Sequence, residues 1–336
     1  MIKNYPIGKY RRLSRLANEH GQFSMLAIDQ RKSLREMISS AIGTQPDTVT
    51  ADDLSLVKKI VTKELSRYAS ALLTDPIYGY GSTIDVIPRD TGVMLSIEIT
   101  GYNTVNTFER HSRLIEGFSV EKAAKLGADA IKLLIWYHKE ASRATIEHQN
   151  NIIKRVAEQC NKFEVPLILE IVNYPTPDVD IKGVAYAREK AERVIDAAKT
   201  FSSPEFGVDV LKLEFPGNLK LTKEFQDRSF SANAVAYSLD EVKSFNHAVN
   251  SASEVPWVIL SAGVEPEEFI ENIKISNEAG ASGFLCGRAV WKNIVNQFPD
   301  GDKMTTFIRE NAVGYFKSIL ESNNEALPWF SHRRFS

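Results

Sequence analysis

Eight short apolar runs recur along the 336-residue chain, at 23–28, 71–74, 93–98, 130–137, 167–172, 210–215, 257–261 and 283–286, with longer amphipathic segments between most of them. Runs of this length read as buried strands, and the segments between them carry helical spacing. From 50 to 68, Leu54, Val57, Ile60, Val61 and Leu65 fall on one helical face. Ser119 suits the N-cap of a helix before the fourth run. Gly127 and Gly280 stand where a helix stops before a strand. Strand–helix alternation repeated eight times predicts an α/β fold, a (β/α)8 TIM barrel. An open doubly wound sheet is the alternative, but it usually places a Gly-rich phosphate loop after its first strand. Here the first run is followed by Asp29-Gln30-Arg31-Lys32, with no glycine. The expected organisation is a single domain over 1–336, with the barrel at about 21–298. Residues 1–20 read as a polar, basic N-terminal arm. Residues from about 299 to 336 read as a helix and an aromatic tail that contacts another subunit, covers the barrel or simply packs on its own domain.

Three successive runs, the fourth to the sixth, contain a charge where a buried strand has no place for one. Lys132 lies in Ala130–Tyr137, Glu170 in the fifth run and Lys212 in the sixth. A buried charge costs several kcal/mol unless it is paired or neutralised. Alternation along a barrel strand directs one set of side chains into the bore, and Lys132, Glu170 and Lys212 are expected to meet there. Burial and a second cation both depress a lysine pKa, which makes a neutral amine available. Such an amine attacks a ketone to give an iminium, and a carboxylate beside it takes a hydroxyl proton as a carbon–carbon bond breaks. The alternative is a buried Lys–Glu–Lys network with only an architectural role.

The last two runs end in Ser261-Ala262-Gly263-Val264 and Gly287-Arg288-Ala289. The loops after strands seven and eight of a barrel frequently hold phosphate, through backbone N–H groups and a helix N-terminus, and Arg288 would add a bidentate cation. Ordinary turn glycines and a salt-bridged Arg288 are the alternative. At the end of the first run, Asp29 and Gln30 suit sugar hydroxyls, unless Asp29 only caps a helix; Arg31 either meets a second anion or is solvated. The six histidines show no metal-ligand spacing, with His138 read as a surface residue near the mouth, and neither a metal nor a cofactor is expected. The two cysteines form no pair of ligand spacing. A formal charge of −2 without a basic stretch argues against nucleic-acid and membrane-surface partners. No apolar stretch reaches the ~20 residues that span a bilayer, and the first residues lack a signal-peptide pattern. A cytoplasmic protein is expected.

Taken together, Leu26-Ala27-Ile28-Asp29-Gln30-Arg31, Tyr68 to Pro76, the strands bearing Lys132 and Glu170, Val208 to Pro216, Leu260-Ser261-Ala262-Gly263-Val264 and Leu285-Cys286-Gly287-Arg288-Ala289 resemble the tagatose 1,6-bisphosphate aldolase family of class I aldolases. The resemblance runs from about Gly21 to Trp291. It implies cleavage of a ketohexose bisphosphate to dihydroxyacetone phosphate and glyceraldehyde 3-phosphate. It makes Lys212 the Schiff-base lysine, Glu170 the acid/base and Lys132 their assistant. Ser261, Gly263, Leu285, Gly287 and Arg288 would hold a phosphate, while Asp29, Gln30 and Arg31 would contact substrate. By analogy the protein is a homo-oligomer. Pro256 to Ser261 and Ala279 to Leu285 also resemble sulfofructose 1-phosphate aldolases, and a transaldolase acting on sulfofructose uses similar chemistry. The segment Ile77 to Asp85 departs from the tagatose enzymes, which opens the nature of the distal anion if that loop contacts it.

Overall fold

The computed structural model describes residues 5–335. Eight parallel strands close into a barrel: β1 (Phe23–Ala27), β2 (Ala71–Thr74), β3 (Gly92–Ser96), β6 (Ala130–Tyr137), β7 (Leu167–Asn173), β8 (Val210–Leu213), β9 (Trp257–Leu260) and β10 (Gly283–Cys286). Helices follow most of them, so the predicted (β/α)8 barrel is the fold. Two further strands, β4 (Asn103–Val105) and β5 (Glu109–His111), form an antiparallel hairpin between β3 and β6. The sequence reading missed this hairpin because its three-residue strands are largely polar and partly exposed, and so lack the apolar run that marks a barrel strand.

Alternation along the strands sorts the core into two layers. Leu26, Leu72, Leu95, Ile131, Leu169, Leu211, Ile259 and Phe284 face the helices. Met25, Leu73, Met94, Ala130, Ile168, Val210, Val258 and Leu285 fill the bore. The helices are set by local chemistry. Thr50 caps α3 (Ala51–Leu65), the third helix of the chain, in a capping box with Asp53. Ser119 accepts the Lys122 N–H as expected.

The floor of the barrel departs from the sequence reading. Instead of an arm, 7–16 form α1 (Ile7–Leu16), whose inward residues Lys9, Leu13 and Leu16 recur at helical spacing; residues 1–4 lie outside the described residues. Leu13 and Leu16 meet Trp329 and Phe335 of the tail beneath the bore. Lys9 Nζ pairs with Asp209 at 2.7 Å, and the Tyr5 hydroxyl donates to the same carboxylate at 2.6 Å. The tail is therefore packed on its own barrel. It is held by the Trp329 N–H on the Gly21 carbonyl and by a 2.9 Å hydrogen bond between His332 Nε2 and Ser282 Oγ. No helix among the described residues is long and apolar enough to cross a membrane.

Burial, with Arg333 nearby, pulls the His332 pKa down to about 4. The folded protein therefore holds His332 neutral, whereas the unfolded chain binds its proton below about 6.5. Stability is expected to fall, by up to on the order of 3 kcal/mol, as pH drops from about 6.5 to about 4. Calorimetric melting of wild type and His332→Gln across this window checks the claim: the variant's Tm should depend less on pH, and parallel curves would refute it.

Candidate active site

The strand register places the predicted centre in two tiers. Glu170 pairs with Leu134 on one side and Lys212 on the other, while Lys132 pairs with Ile168, one pleat deeper. Lys132 reaches upward, and its Nζ lies 2.9 Å from Asp29 Oδ2, 2.8 Å from Glu98 Oε1 and 2.8 Å from Glu170 Oε2. Lys212 Nζ lies 2.9 Å from the same Glu170 oxygen. Lys132, Glu170 and Lys212 thus meet as the alternation predicted, and Asp29 and Glu98 complete the group. All five are buried.

At Lys132 the electrostatics differ from the expectation of a lysine depressed by burial and a second cation. Burial does work against the charge on Lys132, but Asp29, Glu170 and Glu98 outweigh it and hold the ammonium well above its usual range. The reciprocal effect falls on the acids. Burial would raise the Glu170 pKa, yet Lys132 and Lys212 pull it below the usual glutamate range. Asp29 is likewise pulled well down by Lys132 and Lys212 against its burial. The cluster contains a fixed ammonium on the deeper tier and a carboxylate between two amines on the upper one.

Above it opens a cavity of about 450 Å³ at the C-terminal ends of the strands, lined in part by Asp29, Gln30, Arg31, Glu98, Lys132, Glu170, Lys212 and Arg288. Tyr102 and Trp136 form its aromatic wall, in edge contact at 4.8 Å. Tyr102, Trp136 and Tyr174 surround the Arg110 guanidinium of the hairpin within 4.9 Å. Asp29 is not a helix cap: Arg31 occupies that position of α2 (Lys32–Ile42), without a side-chain cap. Arg31 is not solvated either; its Nη2 donates to the Glu98 carbonyl at 2.6 Å.

On the opposite wall, Leu260, Ala262 and Arg288 line the cavity. Ser261 Oγ accepts the Gly287 N–H at 3.3 Å, and Gly263 lies beside the Arg288 side chain. Position 287 requires glycine, because a Cβ there would approach the Ala27 carbonyl to 2.9 Å. The helix after β10 is only Arg288–Trp291, so this wall offers the Arg288 side chain without a long helix dipole. Leu285 is not brought to the cavity; it belongs to the apolar filling of the bore. Segment 77–85 does not line the cavity, so its departure from the tagatose enzymes carries no direct contact with a ligand there. His138 is buried against Phe108 and Tyr174, not at the surface.

Sequence reasoning overlooked Glu98, although it ends the third apolar run much as the other charges interrupt theirs. It also overlooked Lys58, which falls on the apolar face of α3 between Leu54 and Val61 and is fully buried against Asp75 at 2.9 Å.

Comparison with known proteins places the chain in context. A family model described as DeoC/LacD family aldolase matches residues 23–293. The tagatose 1,6-diphosphate aldolase of Lactococcus lactis subsp. lactis is 35% identical over 329 residues, covering 96% of this chain and 97% of that protein. Tagatose 1,6-diphosphate aldolase 2 of Enterococcus faecalis is 36% identical over 331 residues, covering 95% and 93%. Among solved structures, fructose-bisphosphate aldolase from Plasmodium falciparum superposes with a TM-score of 0.69 over 97% of both chains at 14% identity, a likeness of fold.

Removing Lys132 leaves three buried carboxylates without their shared cation. Lys132→Met is expected to cost about 3–5 kcal/mol at pH 7, and part of that loss should return near pH 5 as the crowded acids take up protons. Urea unfolding at the two pH values tests this; a variant as stable as wild type at pH 7 would show that the cluster is not held by Lys132.

Proposed function

This chain belongs to the DeoC/LacD aldolase family, and we propose that it is a class I aldolase that cleaves tagatose 1,6-bisphosphate to dihydroxyacetone phosphate and glyceraldehyde 3-phosphate. The observation that carries the reading is the sharing of one Glu170 oxygen by Lys212 and Lys132 at the base of the mouth cavity. The amine of Lys212 attacks the C2 ketone, and loss of water leaves an iminium. Before the attack Lys212 passes its ammonium proton to Glu170, 2.9 Å away, and Glu170 returns it to the carbinolamine hydroxyl that leaves as water, so that Glu170 is again a carboxylate. The Glu170 carboxylate, kept ionised by the two lysines, then removes the C4 hydroxyl proton. The C3–C4 electron pair moves into the iminium, giving an enamine, and the aldehyde departs. Protonation at C3 and hydrolysis return Lys212 and release the ketone product. Lys132 stays an ammonium throughout and holds Glu170 and Asp29 in place.

Ser261, Gly263, Gly287 and Arg288 are assigned to one phosphate, and Arg31 and Lys32, which also line the cavity, to the other. Asp29 and Gln30 face the sugar hydroxyls. Leu285 contributes packing beneath them. The proposal includes a cytoplasmic, self-associating enzyme; exposed Ile7, Tyr10 and Phe330 offer apolar surface for association. Cell fractionation and light scattering test these two points.

Borohydride trapping followed by peptide mass spectrometry is the direct test, with tagatose bisphosphate, sulfofructose 1-phosphate and sulfofructose in separate incubations. Tagatose bisphosphate is expected to give a reduced adduct on Lys212. An adduct only with a sulfosugar would reassign the substrate, and turnover without any lysine adduct would replace the mechanism with proton shuttling by Glu170. Lys212→Met should abolish cleavage. Glu170→Gln should slow it by roughly 10²–10⁴-fold, the usual worth of a positioned acid/base. Prolonged chelation should leave kcat unchanged, since the iminium supplies the electron sink; loss of activity restored by zinc would overturn the lysine route.

A further inference from the structure

Lys58 is the only described lysine whose side chain is wholly buried, at 0% exposure, and it lies outside the cavity. Its ammonium has three acceptors: Asp75 Oδ2 at 2.9 Å, the Gln30 carbonyl at 2.8 Å and the Ile28 carbonyl. The two carbonyls belong to the residues on either side of Asp29, where β1 has ended and no strand neighbour accounts for both. Asp75 is itself fixed. Its Oδ1 accepts the N–H groups of Ile77 and Tyr78 at 2.9 and 2.8 Å. Gly79 closes this turn so tightly that a Cβ would come within 2.1 Å of Thr74 Oγ1 and 2.9 Å of Asp75 Oδ2. A chain of rigid contacts thus runs from the Asp75 turn through Lys58 to the backbone around Asp29.

We propose that Lys58 is a positioning residue, a buried clamp that grips the peptide carbonyls flanking Asp29 and so sets that carboxylate against Lys132 and the substrate. The inference rests on the aldolase reading. A buried ion pair is seldom the most stable filling for a core site, since well-packed apolar residues of similar volume often do as well or better. Satisfying two end-of-strand carbonyls would not by itself need a full charge. Three acceptors converging on one ammonium hold the turn along three directions, and misplacement of a reacting group by about 1 Å can cost ~10²-fold in rate. Burial draws the Lys58 pKa down against the pull of Asp75 and Asp29.

A double-mutant cycle decides the matter, with tagatose bisphosphate cleavage and thermal unfolding measured in parallel. Lys58→Met should lower kcat about 10–100-fold with KM changed less than threefold. In an Asp29→Asn background the same substitution should have little further effect, because it acts through Asp29. A merely structural lysine would lower kcat equally in both backgrounds, or lower Tm with kcat intact; either result overturns the clamp. Should Lys58→Met fail to fold, Asp75→Asn takes its place in the same cycle, with a smaller loss expected and the same loss of additivity. Wild-type protein that cleaves no substrate would overturn the aldolase reading and the clamp with it, whereas active wild type with additive variants overturns the clamp alone.

Discussion

One ammonium surrounded by three carboxylates organises this barrel. Lys132 stands in the bore where the apolar filling gives way to the mouth, and it draws in Asp29 from β1's end, Glu98 from beyond β3 and Glu170 from β7. Each acid alone would be costly to bury in ionised form, and so would the lysine. Together they form a closed electrostatic unit whose members come from four parts of the chain. That unit holds the inward side of the strands that carry it, because a one-residue slip would carry the charge into the helix layer.

The same arrangement divides labour between two lysines that look alike in sequence. Lys132 is ringed by acids and is held charged. Lys212 shares a single oxygen of Glu170 and faces the cavity, and it is the one proposed to react covalently. Glu170 stands between them, kept ionised by both, and in the proposed aldolase reaction it is the group that takes the hydroxyl proton and later returns it. A second buried pair, Lys58 with Asp75, lies behind the first one and grips the backbone from which Asp29 projects. The polar centre is therefore supported from below by Lys132 and from the side by Lys58.

Much of the fold was legible because its signals are local. Three of the eight barrel strands, at 71–74, 130–137 and 283–286, match their apolar runs end to end, and the others differ by one to two residues at one or both termini. The cap at Ser119 follows from a side chain that reaches its own helix. The floor was less legible. Lys9 reads as a solvated charge until Asp209, two hundred residues later, is brought beside it, and Leu13 and Leu16 acquire a partner only once the tail returns. The hairpin of Asn103–Val105 and Glu109–His111 was invisible for the same reason, since short polar strands show no periodicity and its anchoring rests on Arg110 among three aromatic rings drawn from elsewhere.

The chain by itself determined the alternation of strand and helix, the inward parity of Lys132, Glu170 and Lys212, and the small residues after β9 and β10. Period-two and helical spacing are properties of neighbouring residues, so these needed no knowledge of the whole. Only the tertiary structure decided that Glu98 joins the centre, that Lys132 sits a tier below Glu170, that Leu285 is packing and that Lys58 holds the turn at Asp29. Register between strands and the direction of a long side chain depend on barrel closure, and closure brings together residues whose separation in sequence carries no signal of their contact.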